Sequence, residues 1–212
     1  MNIDTFSVDQ ATAHLRAVDL ALAALMDRVG PYTATLRRAD PYASLLRTIL
    51  FQQLAGAAAN AIQRRFLALY GEDSLPPTPE QLLATSDEEL RGAGLSRQKM
   101  GYMRDLALHV HEGRLELDKL VYLDDEEVIR RITAVKGLGE WSAHMYLMFH
   151  LGRPDVMPIG DLGVRNGMRL TYGLEETPTP KQAAEIGARW APYRSIGSWY
   201  MWRAADPVAP DI

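Results

Sequence analysis

The residues able to do chemistry fall into a few groups. The first is Gly137-Leu138-Gly139, a Gly-x-Gly turn inside Val135-Lys136-Gly137-Leu138-Gly139-Glu140-Trp141-Ser142-Ala143. Glycines there allow positive φ and close approach of another backbone. The N–H groups that open the following helix then form an anion site. The plainer reading is an ordinary turn between helices. The second is Asp161, in Pro158-Ile159-Gly160-Asp161-Leu162-Gly163. An Asp ahead of a helical stretch is an N-cap by default. A carboxylate can also stabilise an oxocarbenium-like sugar as its leaving group departs. The two roles are compatible, because a capping Asp is held rigid. The third is Gln52-Gln53, two amides where the apolar period wants core. They read either as a helix break bonded to local backbone or as a polar wedge that fills the gap left by an extruded base. The fourth is the crowd of aromatics in the second half, among them Trp141, Tyr146, Trp190, Tyr193, Trp199, Tyr200 and Trp202. Most belong to the core, and some could stack on a flipped base.

Composition bounds these readings. The chain has 212 residues, 47% hydrophobic and 24% charged, enough for one large domain or two small ones with a proper core. There is no cysteine, which excludes disulfides, thiolate metal sites and a cysteine-held iron–sulfur cluster. Residues Met1-Asn2-Ile3-Asp4-Thr5 carry no basic region and no apolar run, so no signal peptide is expected. No apolar stretch reaches membrane-spanning length. The net charge of −4 argues weakly against a nucleic-acid binder. Helix N-termini bind phosphate without charged side chains, however, and basic residues can cluster on one face.

The elements that must position these residues are helical nearly throughout. Leu15, Val18, Leu22, Leu25, Met26 and Val29 recur at helical spacing and predict one helix, ended by Gly30-Pro31. Pro41 opens the next, carrying Leu45, Leu46, Ile49 and Leu50. After Gln52-Gln53 an Ala-rich helix runs through Ile62 and Phe66 to Gly71. Beyond a Pro-rich linker, Thr78, Ser86, Ser96 and Asp124 read as N-caps, and Ser86 with Glu89 has capping-box spacing. Helices are expected from about Arg97 to His111, up to Ala134, from Glu140 to Leu151, from Leu162 to Thr171, from Pro180 to Ala191 and from Ser195 to Ala205. No run alternates with period two, so the expected fold class is all-α.

Taken together and in order, these features resemble the DNA-3-methyladenine glycosylase II family of the AlkA type, within the helix–hairpin–helix superfamily of base-excision glycosylases. The carriers are Ile49-Leu50-Phe51-Gln52-Gln53-Leu54, Leu90 to Ser96 with Lys99 beyond, Val135 to Ala143, Asp161-Leu162-Gly163 and Trp190 to Ser195. The resemblance covers most of the chain. It implies two helical lobes with the helix–hairpin–helix motif and a DNA- and base-binding cleft between them. Residues 41–153 would form the lobe ending in the hairpin. Residues 1–40 with 154–212 would form the lobe carrying the catalytic aspartate. The family's catalytic residue falls on Asp161, its phosphate-holding hairpin on Gly137, Leu138 and Gly139, its intercalating wedge on Gln53 and its aromatic base-pocket walls on Trp141 and Trp202, with Met145 in the same pocket; Lys136 is read as a further phosphate contact and Arg165 as a basic residue on the DNA-binding side. Similar proteins bind Na⁺ or K⁺ through hairpin carbonyls, which would belong here to Thr133, Val135 and Leu138. No organic cofactor and no iron–sulfur cluster is implied.

Members that also cut the DNA strand carry a lysine nucleophile where this chain has Trp141, and lysine would form a Schiff base with the sugar. Tryptophan cannot, so the expected enzyme is monofunctional. Two positions depart from the pattern: Gly160 replaces an acid common before the catalytic aspartate, and Met145 stands where some relatives are aromatic. The expected activity is excision of alkylated purines from double-stranded DNA in base excision repair, by a monomer in the cytoplasm, nucleoid-associated in a prokaryote. The rivals are a same-fold glycosylase for another damaged or mismatched base and a non-catalytic binder of damaged DNA.

Overall fold

The computed structural model describes residues 7–36, 40–54, 56–71 and 75–206. In chain order its helices are α1 (Val8–Val18), α2 (Leu20–Val29), α3 (Pro41–Phe51), α4 (Gly56–Ala68), α5 (Pro79–Ala84), α6 (Asp87–Gly92), α7 (Arg97–His111), α8 (Asp125–Thr133), α9 (Glu140–Phe149), α10 (Leu162–Tyr172), α11 (Pro180–Gly187) and α12 (Arg194–Ala205). Short 3₁₀ turns follow α7 at Leu117–Tyr122 and α11 at Ala188–Trp190. No strand occurs among the described residues, so the fold is all-α as the sequence indicates.

The chain divides into two compact units, Met1–Arg37 with Leu147–Ile212, and Arg38–Tyr146. The divide falls inside α9, where the sequence suggested Arg153. Phe149, past the divide, lies against Trp202 with ring centroids 5.9 Å apart. α9 is buried over most of its circumference from Ser142 to Phe149, as befits a helix apolar all round.

Helix starts are set locally. Thr78, Ser86, Ser96 and Asp124 each accept the N3 backbone N–H, and Thr78 and Ser86 complete capping boxes with Gln81 and Glu89. The first expected helix is two. Asp19 breaks it with an extended backbone, and its Oδ1 caps α2 through Leu22 N–H at 3.0 Å. Its Oδ2 accepts from Tyr172 Oη at 2.7 Å and Trp190 Nε1 at 3.1 Å. A carboxylate this buried is tolerable because it is hydrogen-bonded on both oxygens. It ties α1 and α2 to α10 and to the 3₁₀ turn after α11. That turn also ends α11 earlier than the sequence suggested. In the other unit, α3 packs on α4 and α7 and α5 packs on α7, and Leu46, Ile49, Leu82 and Met103 of these helices are buried. No described helix is long and apolar enough to cross a membrane.

Candidate functional site

Asp161 is the N-cap of α10. Its Oδ1 accepts the Val164 N–H at 2.8 Å, so the capping role expected of it is real. The loop before it is wound tightly, with Ile159 N–H donating to Met157 O and Asp161 N–H to Pro158 O, both at 2.9 Å. The same Oδ1 takes a second bond from Trp202 Nε1 on α12, at 2.9 Å. Trp202 itself is only 8% exposed and stands tilted against Phe149.

α10 and α12 come this close because two residues of α10 have no side chain. A Cβ on Gly167 would lie 2.0 Å from the Met201 carbonyl oxygen. One on Gly163 would lie 2.9 Å from Trp202 Cδ1 and 3.1 Å from Asp161 Oδ1. The start of α12 is fixed as well. Arg194 grips Asp155 with a two-pronged bond, Nε to Oδ1 at 2.7 Å and Nη2 to Oδ2 at 2.8 Å. Ser195 Oγ accepts from Val156 N–H and donates to Arg153 O. Gly160, directly ahead of Asp161, has open space around it: a Cβ there would meet nothing within 4 Å.

In the other unit the hairpin joins α8 to α9. Val135 and Leu138 are buried and pin the turn, with Leu138 N–H donating to Val135 O at 3.1 Å. Gly137 has φ +84°, and a Cβ there would sit 2.2 Å from the Tyr102 ring. Glycine is required twice over, by backbone conformation and by the ring. Gln52 Nε2 donates to Gly137 O at 2.7 Å, and Lys136 N–H donates to Asp105 Oδ2 at 2.8 Å. Among the described residues, the N–H groups of Gly137 and Gly139 donate to no protein acceptor. They precede the N-terminus of α9, where the helix dipole also favours an anion.

The paired glutamines therefore do different things. Gln52 points inward and holds the hairpin. Gln53 is exposed and is the one non-glycine residue at positive φ (+57°) among those described. A left-handed glutamine is strained, and the structure around it must hold it there. Lys99 Nζ donates to Leu50 O at the end of α3, bracing the segment that carries both, and its burial pushes the ammonium below the usual lysine range.

The remaining expected positions fall as follows. Trp141 is 42% exposed on the first turn of α9, while Met145, one turn on, is buried. Arg165 reaches Pro178 O with Nη1 at 3.1 Å, so part of its guanidinium is engaged within its own unit. Thr133 turns its hydroxyl back to Ile129 O, and Val135 O is one end of the turn bond to Leu138. The structure thus brings Asp161 to Trp202. Sequence reading missed the hairpin contacts of Gln52, Tyr102 and Asp105, and the clearances at Gly163 and Gly167. Only the glycines left a signal, the spacing Gly163-x-x-x-Gly167 on a helix face.

Comparison with known proteins places this geometry. A model of the HhH-GPD superfamily of base excision DNA repair proteins matches residues 46–192. DNA-3-methyladenine glycosylase 1 of Schizosaccharomyces pombe is 34% identical, over 96% of this chain and 93% of that protein. The Alkylbase DNA glycosidase-like protein mag2 of the same yeast is 31% identical, over 92% of each. In solved structures, the S. pombe 3-methyladenine DNA glycosylase in complex with abasic DNA matches at TM-score 0.83, covering 92% of this chain and 95% of that one. A DNA-3-methyladenine glycosidase from Bacillus halodurans matches at 0.82 with 37% identity, covering 95% of this chain and 92% of that one.

Proposed function

Since the chain belongs to the HhH-GPD superfamily of base excision DNA repair proteins, we propose that it is a DNA glycosylase that releases alkylated purines of the 3-methyladenine kind, with Asp161 acting on the sugar. The observation that carries the reading is the carboxylate of Asp161, held on one oxygen by N–H donors from two different helices. Its relatives' names and the abasic DNA bound to the S. pombe enzyme supply the substrate class.

The chemistry follows from that fixed charge. Alkylation at a purine ring nitrogen makes the base cationic. When the C1′–N bond breaks, its electron pair leaves with the base, which departs neutral and needs no proton from the protein. Positive charge develops on the deoxyribose, and the Asp161 carboxylate stabilises it without reorganising. Water then adds to C1′ and gives up a proton, leaving an abasic sugar. Trp141 supplies no amine to attack C1′, so the strand stays intact.

The hairpin binds the backbone of the DNA. The N–H groups of Gly137 and Gly139 and the exposed ammonium of Lys136 meet phosphate, and the exposed Gln53 enters the stack where the nucleotide has left it. The carbonyls of Thr133, Val135 and Leu138 are hard oxygen donors of the kind that suit Na⁺ or K⁺. The ion would neutralise phosphate charge at the hairpin. The protein works as a monomer on double-stranded DNA.

The test is base release from alkylated duplex DNA, wild type beside Asp161→Asn, with a gel run before and after alkali. Expected are free methylpurine, a variant slowed at least about a hundredfold, and strand breaks only after alkali. A variant that excises at the wild-type rate refutes the assignment of Asp161. Breaks without alkali refute the monofunctional mechanism.

A further inference from the structure

We propose that Trp202 is a positioning residue for Asp161, and that Gly163 is bare so that the indole can reach the carboxylate. The inference rests on the role of Asp161 given above. It gives Trp202 a task different from the aromatic wall that resemblance assigned to it.

The cap bond from Val164 N–H is local, made three residues along the same chain segment. A single local bond leaves a carboxylate free to rotate about it. The bond from Trp202 Nε1 reaches the same Oδ1 from a helix 41 residues away in sequence. Two donors from different directions fix both the place and the orientation of the group. The indole N–H suits this use, being a donor only: it can accept nothing and has no second tautomer.

The surroundings are built to hold that bond. Gly163 faces the pair directly: its missing Cβ would stand 3.2 Å from Trp202 Nε1 and 3.1 Å from Asp161 Oδ1. One turn on, Gly167 lets the α12 backbone touch α10 at Met201, beside Trp202 in sequence. Phe149 steadies the ring from another side. The Arg194–Asp155 pair fixes where α12 starts. With only 8% of Trp202 exposed, its ring offers a base little surface, while its N–H has a definite partner.

The decisive comparison is Trp202→Phe beside Asp161→Asn and Gly163→Ala, in the full chain. Phe keeps a flat ring next to Phe149 and deletes the donor. The single-turnover rate of base release at saturating DNA should fall about ten- to a hundredfold, what one hydrogen bond to a charged acceptor supports. Affinity for abasic-site DNA should stay within about twofold of wild type. A second readout does not depend on activity. The chain has four tryptophans, and the indole ¹⁵N–¹H signal lost in Trp202→Phe identifies Trp202. That signal should move upfield in both Asp161→Asn and Gly163→Ala while the other indole signals hold. The proposal is overturned if Trp202→Phe excises at the wild-type rate, or if the indole signal is unmoved in Asp161→Asn. A wild-type rate and signal in Gly163→Ala would overturn the role of the bare glycine. An inactive Asp161→Asn beside a fully active Trp202→Phe sinks this inference alone, whereas an active Asp161→Asn sinks the function proposed above.

Discussion

The α10–α12 pair and the hairpin between α8 and α9 are both built around glycines, and they use them in opposite ways. In α10, Gly163 and Gly167 are absences: each removes a side chain so that α12 can press in and deliver Trp202 to Asp161. In the hairpin, Gly137 is a conformation: its φ of +84° turns the chain ahead of α9, where the Gly137 and Gly139 N–H groups meet no protein acceptor among the described residues. One site presents a single fixed side-chain charge. The other presents backbone dipoles and a lysine. The bond cleavage proposed for Asp161 would need a charge that does not move as the transition state forms, and its close-packed holder suits that role. The phosphate grip proposed for the hairpin would need exposed donors, and the turn suits it, being held by Gln52, Tyr102 and Asp105.

The sharpest way to break this comparison is at Gly167. A methyl there must push the Met201 carbonyl, which is backbone and cannot swing aside. Gly167→Ala should destabilise the protein by about 3 kcal/mol and lower Tm by roughly 6–12 °C. Calorimetry or circular dichroism reads it. A Tm unchanged within about 1 °C would mean that α10 and α12 are not locked by contact, and the contrast with the hairpin would lose its physical basis.

Gly137→Ala should act differently. Alanine at positive φ is strained, and its methyl meets the near end of the Tyr102 ring, a side chain of α7 that must shift where the Met201 backbone cannot. A loss of about 1–2 kcal/mol in stability is expected. The larger consequence should be weaker DNA binding, because the turn no longer aims its N–H groups. Base release at saturating DNA should stay near wild type. Titration against abasic-site DNA and single-turnover kinetics separate the two. Weakened catalysis with intact binding would show that the hairpin serves the chemistry rather than the grip.

How much of this was legible beforehand follows the same divide. Features decided within a few residues could be read: the caps at Thr78, Ser86, Ser96, Asp124 and Asp161, and the stop at Gly30, which has positive φ. Capping is a contest between one side chain and the nearest N–H groups, and sequence contains both contestants. What could not be read was decided by partners far along the chain. Asp19 breaks the expected first helix because Tyr172 and Trp190 wait to bond it. Gln52 and Gln53 look alike in sequence, and only Gly137 O distinguishes the one that supports from the one that is exposed. Trp202 reads as a wall of the base pocket, and nothing along the chain shows that its N–H bonds Asp161. The catalytic candidate was therefore visible through its cap, whereas what orients it was not.

The smallest expected effect sharpens the comparison from the hairpin side, at Lys136. Its backbone N–H is already given to Asp105, so only its exposed ammonium is left for phosphate. Truncating the side chain in Lys136→Ala leaves that backbone bond in place and should leave Tm where it was. One phosphate contact fewer releases one counterion fewer, so the slope of log affinity against log salt should become shallower by about 1. Affinity should fall several-fold at low salt and converge on wild type as salt rises, with no change in the rate at saturating DNA. A slope equal to wild type would mean that the ammonium touches no phosphate. The grip would then be purely one of backbone dipoles, and the two glycine-built sites would differ more completely: one acting through a charged side chain alone, the other through none.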